Sequence, residues 1–212
     1  MAKTSMFLFL FLVIIVVGIS ATGSILSNED PPIINKYIWR SCKVTMYQRI
    51  CYGSLVSYAT YIDEDPIHLA IAAINITRGR LIQVNNNFLA IKNTIARNTS
   101  AVEPMTAAIM DVCIEMVELA LDMLDESDKE VEALVDCKEG DKASHINNAV
   151  LWVGAAVTDQ GTCLDEFSND GTPPDLSVLG KHIKTFVFSR MNTTMSYTSN
   201  TLSLVKSLES SD

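Results

Sequence analysis

The residues of this 212-residue chain that could do chemistry are five cysteines, three histidines and several runs of carboxylate. Cys42 and Cys51 lie nine residues apart, Cys113 and Cys163 lie fifty apart, and Cys137 is left over. In an oxidising compartment this pattern reads as two disulfides holding the fold, plus one odd thiol. His68, His145 and His182 form no pair at metal-ligand spacing, and none sits beside a cysteine pair in the manner of a zinc site. No metal and no cofactor is therefore expected. The G-x-S-x-G, P-loop and G-x-G-x-x-G patterns are absent. The acids of Asp122-Met-Leu-Asp125-Glu126 and Asp128-Lys-Glu130 read as solvated helix faces rather than as an acid/base pair. A stapled fold without a catalytic constellation is expected to bind rather than to catalyse.

The compartment follows from the leader. Lys3 is a short basic start, Met6 to Val17 is an almost unbroken apolar run, and small residues follow at Gly18, Ser20, Ala21 and Gly23. This is the layout of a secretory signal peptide over residues 1–23, with cleavage between about Ser20 and Ser24. The run is shorter than the roughly 20 residues of a spanning helix, so no membrane anchor is expected. Three acceptor sequons, at Asn75, Asn98 and Asn192, agree with export and mark candidate glycosylation sites. The formal charge is −9, and losing Lys3 with the leader takes it to −10. That balance argues against nucleic acid and against anionic membrane surfaces as partners.

The remaining residues, 24–212, suit a single domain. Strand-like alternation is nearly absent, and Gly and Pro cluster between segments. A short helical hairpin is expected over residues 34–60, carrying Cys42 and Cys51, and a four-helix bundle over 65–207. The first long helix runs from about Asp65 to Arg97, with Asp65 as cap and Pro66 at the first helical position. Its inner stripe is Ile67, Ala70, Ile74, Thr77, Leu81, Val84, Phe88, Ile91 and Ile95.

The second helix spans about Ala101 to Ser127, with Met105, Ile109, Val112, Cys113, Met116, Val117, Ala120 and Leu124 inward. A short continuation follows over Lys129 to Val135, and then a turn at Glu139-Gly140-Asp141. The third helix spans about Lys142 to Phe167, with Gln160 as one polar interruption of its stripe. The breaker run Asn169-Asp170-Gly171-Thr172-Pro173-Pro174 precedes a fourth helix capped by Asp175 and running to about Ser207. Its stripe is Leu176, Leu179, Ile183, Val187, Met191, Thr194, Thr198, Leu202 and Val205.

Four amphipathic helices with short connections give an all-α, up-down-up-down antiparallel bundle. Measured from the turn near Gly140, Cys113 and Cys163 come to similar heights on neighbouring helices, which supports a bond between them. Cys137 lies near that turn, away from both. It reads either as a free, buried thiol in a monomer or as an intermolecular bridge in a dimer.

Several blocks carry a family resemblance. Cys42-Lys-Val-Thr45-Met-Tyr47-Gln-Arg-Ile-Cys51, followed by Ser54-Leu55, resembles the first cysteine pair of the plant invertase and pectin methylesterase inhibitor family. Cys113-Ile-Glu115-Met-Val-Glu-Leu-Ala120-Leu-Asp122-Met-Leu124 is similar to its third-cysteine helix. Trp152-Val-Gly-Ala-Ala-Val-Thr158-Asp-Gln-Gly-Thr162-Cys163-Leu-Asp165-Glu-Phe167 is the strongest match, and Thr198 to Leu204 resembles the C-terminal signature.

The resemblance implies bridges Cys42–Cys51 and Cys113–Cys163, no catalysis, and a secreted protein of the plant cell wall or apoplast that covers the cleft of a target enzyme. It offers Thr162, Asp165, Glu115 and Asp122 as partner-binding residues. The expected target is pectin methylesterase. The alternatives are an acid invertase, or a pro-region-like module acting in folding or retention. The Pro-Lys-Phe motif of many invertase inhibitors is missing, the turn reading Gly140-Asp141-Lys142-Ala143-Ser144. The chain also departs from the family at Val112, Val117 and Gln48, where aspartate, tyrosine and proline are usual.

Overall fold

The computed structural model describes residues 35–97, 100–168 and 176–210, all in helices or the turns joining them. The expected leader, the Asn98 sequon, the 169–174 breaker run and Asp175 lie outside the described residues.

An N-terminal hairpin comprises α1 (Lys36–Ser41), a 3-10 turn at Cys42–Val44, α2 (Gln48–Leu55), a second 3-10 turn at Val56–Tyr58, and α3 (Ala59–Ile62). The Cys42–Cys51 disulfide closes it, with Cα atoms 5.7 Å apart. Two successive left-handed residues, Asp63 and Glu64, end α3. The chain then enters α4 (Pro66–Arg97). Asp65 Oδ1 accepts from the backbone N–H groups of Ile67 and His68 at 2.7 and 3.0 Å, satisfying donors that the first turn leaves open.

The bundle is completed by α5 (Pro104–Ala133), α6 (Glu139–Ser168) and α7 (Val178–Lys206), followed by a 3-10 turn at Ser207–Ser210. Each long helix packs on its sequence neighbours and α7 closes back on α4, so α4 lies diagonal to α6. Phe88, Leu81, Met110, Leu124, Phe167 and Met191 lie buried at the centre. A second apolar cluster joins Ile38, Tyr52, Leu55 and Ile62 of the hairpin to Leu69 and Ala73 of α4 and Leu204 of α7.

Two seven-residue repeats set the register of α5. Toward α4, Lys92 pairs with Asp111 at 2.8 Å, the Asn85 amide donates to Glu118 at 3.4 Å, and Arg78 pairs with Asp125. Toward the core and α6, Thr106, Cys113, Ala120 and Ser127 are all fully buried small residues. Cys113 is bonded to Cys163 with Cα atoms only 4.6 Å apart. Seven-residue steps from Cys163 bring the fully buried Ala156 and Ala149 to the heights of Ala120 and Ser127. Further along, Glu130 accepts from the Asn148 amide at 3.1 Å and meets His145 Nδ1 at 2.6 Å.

Two pairs of buried polar side chains bond across the remaining seams. Gln160 Nε2 donates to Thr198 Oγ1 at 2.8 Å, and the Thr77 and Thr201 hydroxyls lie 2.8 Å apart.

The structure corrects several sequence expectations. α5 begins at Pro104 and continues unbroken to Ala133, because Ser127 is a buried small residue and not a stop. Met105 is 46% exposed and Thr106 takes the inner place. Glu139, Gly140 and Asp141 form the first turn of α6 rather than a connection, the two acids facing the positive end of the helix dipole. The connection lies at residues 134–138. Ser177 caps α7, its hydroxyl accepting from Gly180 N at 3.0 Å. Near the end of α7, Thr201 and Leu204 are buried where Leu202 was expected to be, and Leu202 is only partly buried.

Candidate functional site

Glu115 and Asp122 sit on the outward face of α5, two turns apart, both exposed. Their neighbours Asp111, Glu118 and Asp125 are engaged by α4, but neither Glu115 nor Asp122 makes an ion pair among the described residues. Between them lies Leu119, 39% exposed, which the sequence reading did not single out.

On α6 the heptad that turns His145 toward Glu130 of α5 also carries Trp152 and Asp159, and the heptad of Asn148 carries Ala155 and Thr162. Thr162 therefore stands at the seam between the two helices, one residue before the disulfide and level with Glu115. Its hydroxyl donates to the Thr158 carbonyl at 3.1 Å, which leaves the oxygen able to accept from a partner. Asp165 is exposed on the outward face of α6, level with Asp111. Burial raises the Asp159 carboxyl above its ordinary value.

By the register of the Cys113–Cys163 bridge, Thr162, Glu115 and Asp165 fall at neighbouring heights on α5 and α6, and Asp122 lies two turns further along α5. The resulting edge is acidic, carries an exposed leucine and a partly exposed tryptophan, and is locked by a disulfide at its base. Among the described residues no group of three His, Cys, Asp or Glu could hold a metal ion. His145 is bound to Glu130, His182 is exposed, and His68 packs against Tyr61 with ring centroids 5.0 Å apart. Asn75 and Asn192 lie exposed on α4 and α7. Cys137 is a free thiol, half-buried against the core.

The chain belongs to the plant invertase/pectin methylesterase inhibitor family, whose profile matches residues 36–204. It is 32% identical over 192 residues to a carrot (Daucus carota) protein described as "21 kDa protein", covering 88% of this chain and 90% of that one. It is 32% identical over 170 residues to pectinesterase inhibitor 11 of Arabidopsis thaliana, covering 80% and 78% of the two chains. A crystal structure of a mutant form of a pectin methylesterase inhibitor from Arabidopsis shares the fold, with a TM-score of 0.55 at 16% identity over 77% of this chain and 91% of that one. The family is described as one of inhibitors.

Proposed function

We propose that the protein is a secreted, stoichiometric inhibitor that binds a plant pectin methylesterase in the cell wall. Residues 24–212 act as one domain once residues 1–23 are removed, and the edge between α5 and α6 lies across the enzyme's substrate cleft. The observation that carries this reading is the selective pairing on α5. Of the acids turned toward α4, Asp111 and Asp125 pair with cations and Glu118 accepts from the Asn85 amide, while Glu115 and Asp122 are left without such partners around Leu119. Unpaired carboxylates suit a basic partner and steer encounter, and an exposed leucine beside them supplies apolar contact. Thr162 and Asp165 continue that surface onto α6. Membership of the inhibitor family, and similarity to a relative named as a pectinesterase inhibitor, support the choice of target.

The test is a paired titration of the oxidised protein against a plant pectin methylesterase and a plant acid invertase. Loss of esterase activity at near-equimolar inhibitor, weakened by Thr162→Arg and Asp165→Lys, is the expected result. Loss of invertase activity alone, or of neither with both disulfides intact, would overturn the reading.

A further inference from the structure

On the outer face of α4, that helix and the hairpin enclose an open groove of about 580 Å³. Its walls carry Gly53, Tyr58, Asn75, Gly79 and Ile82. Gly53 and Gly79 lie inside helices, and a Cβ at either would meet nothing within 4 Å. Neither has a positive φ. Glycine weakens a helix interior relative to alanine, and Gly140, Gly154 and Gly161 show the same open space, so what sets Gly53 and Gly79 apart is their place in the groove. They leave a bare floor to the groove. Tyr58 is 47% exposed and Ile82 is 43% exposed, two apolar surfaces uncovered along the same groove. Asn75 is exposed one turn before Gly79 and opens the acceptor sequence Asn75-Ile76-Thr77.

We propose that Asn75 carries an N-linked glycan whose first N-acetylglucosamine residues lie in this groove, over Gly79 and against Tyr58 and Ile82. The flat apolar face of the sugar suits the tyrosine ring and the isoleucine side chain. Its hydroxyl and acetamide groups meet the polar remainder of the wall, including Arg80 and Gln83. In the transfer, Asn75 Nδ2 attacks C1 of a polyprenyl-diphosphate-linked oligosaccharide. The C1–N bond forms, the C1–O bond breaks, the amide proton passes to a base of the transferase, and the polyprenyl diphosphate leaves.

The fold dictates when this must happen. In the folded protein Thr77 is 1% exposed, its hydroxyl lies 2.8 Å from that of Thr201, and Asn75 Nδ2 donates to the Ile71 carbonyl at 3.1 Å. The acceptor sequence is closed. The helix that closes it, α7, is the last of the long helices to be synthesised, so Asn75 and Thr77 stay accessible while residues 78–200 are made. The glycan is acquired before the bundle closes, and the folded chain is not a substrate.

This inference rests on passage through the secretory pathway and not on the inhibitor reading, which the esterase titration tests separately. The experiment uses the full chain secreted from plant cells. Site-specific mass spectrometry after enzymatic deglycosylation in heavy-oxygen water reads occupancy at Asn75. Tyrosine nitration then compares the native protein with Asn75→Gln and with native protein deglycosylated after folding, both of which keep the Thr77–Thr201 pair. Tyr61, 48% exposed and outside the groove, is the internal control. The expected result is an occupied Asn75, with Tyr58 nitrated severalfold more slowly in the glycosylated protein and Tyr61 unchanged. Refolded, unglycosylated protein incubated with microsomes should gain nothing at Asn75. An unmodified Asn75 in the secreted protein, or equal nitration of Tyr58 with and without the glycan, would overturn the proposal.

Discussion

Asn200 of α7 clasps the backbone of Tyr47, 153 residues away in sequence. Its Oδ1 accepts from Tyr47 N at 3.0 Å and its Nδ2 donates to the Tyr47 carbonyl at 3.0 Å. The Asn200 side chain is buried, whereas Tyr47 is 40% exposed. Removing both loses two hydrogen bonds between α7 and the hairpin, at a net cost of about 1–2 kcal/mol. Asn200→Ala should lower stability in urea by that amount and speed amide exchange in the disulfide-closed hairpin while leaving α5 protected. Unchanged hairpin exchange would show that the apolar cluster alone holds it.

The Cys113–Cys163 bridge closes a loop across the α5/α6 seam. Cys113→Ala with Cys163→Ala should cost about 2–4 kcal/mol, mainly through the freed unfolded chain. It should also weaken esterase inhibition more than opening Cys42–Cys51 does, because only the former lies under the proposed edge. Cys137→Ser should cost about 0.5–1 kcal/mol, since the thiol is half-buried against the core and a hydroxyl is the more polar group. The native protein should run as a monomer on a non-reducing gel, Cys137 being half-buried against the core.

Glycines on this scaffold have opposite roles. At Gly79 a methyl group meets open space, so Gly79→Ala should gain about 0.5–1 kcal/mol of helix stability. At Gly180 a Cβ would stand 2.7 Å from Glu103 Oε2, whose carboxylate accepts from Ser177 N at 2.5 Å and from the Thr106 hydroxyl at 3.2 Å. Displacing that carboxylate loosens the Ser177 start of α7 and frees the Thr106 hydroxyl of α5. Gly180→Ala should cost about 1 kcal/mol, measured by urea midpoint at constant slope.

Asp128 should make stability fall as pH rises. Burial, then the nearby Glu132, push its carboxyl from 3.8 to about 6, with Asp125 adding to the shift and Arg78 opposing it. Below the ordinary value the group is protonated in both folded and unfolded chains. Between that value and about 6 the folded protein keeps a proton the unfolded chain has released, so stability declines, and above it the full penalty remains. Because the group is half solvated, the effect is discounted to about 1 kcal/mol. Asp128→Asn should therefore match the native protein near pH 4 and exceed its stability by about that amount at pH 7. Glu103 works in the opposite sense. Its bonds from the Ser177 backbone hold its carboxyl below the ordinary 4.5, so its contribution is present above that value and fades as acidification passes the depressed one.

Leu119 is the apolar candidate on the proposed edge. If it seats in the enzyme, Leu119→Ala should weaken inhibition by about tenfold or more, the range of a central interface residue. Its exposure means that the melting temperature should barely move. Equal inhibition by the variant would shift the contact to the carboxylates alone.

Much of the bundle was legible because helical periodicity is local. Asp65 with Pro66 marked a start that the structure reproduces atom by atom, and the spacing of Cys113 and Cys163 fitted two neighbouring antiparallel helices. What escaped was small or polar yet buried. Thr106, Ser127 and Thr201 line the interior because a close helix approach needs small side chains, whereas a search for apolar stripes selects Met105 and Leu202 instead. Gly140 read as a breaker, although a first helical turn tolerates it. The pairs between α4 and α5 were visible as acids and their partners at seven-residue spacing, but matching them required the antiparallel register. On the candidate edge, Leu119 was hidden because an exposed leucine carries no signal until its neighbours are known to be unpaired.

The double register of α5 restricts how this protein can vary. One flank is matched to α4 every seven residues and the other to α6 every seven residues. Inserting or deleting a single residue within α5 would rotate everything beyond it by about 100° and advance it by 1.5 Å. That would misalign both flanks at once. Length changes can therefore accumulate in the connections and at the chain ends, while the interior of α5 can gain or lose sequence only in whole heptads, and then only if both neighbouring helices change with it.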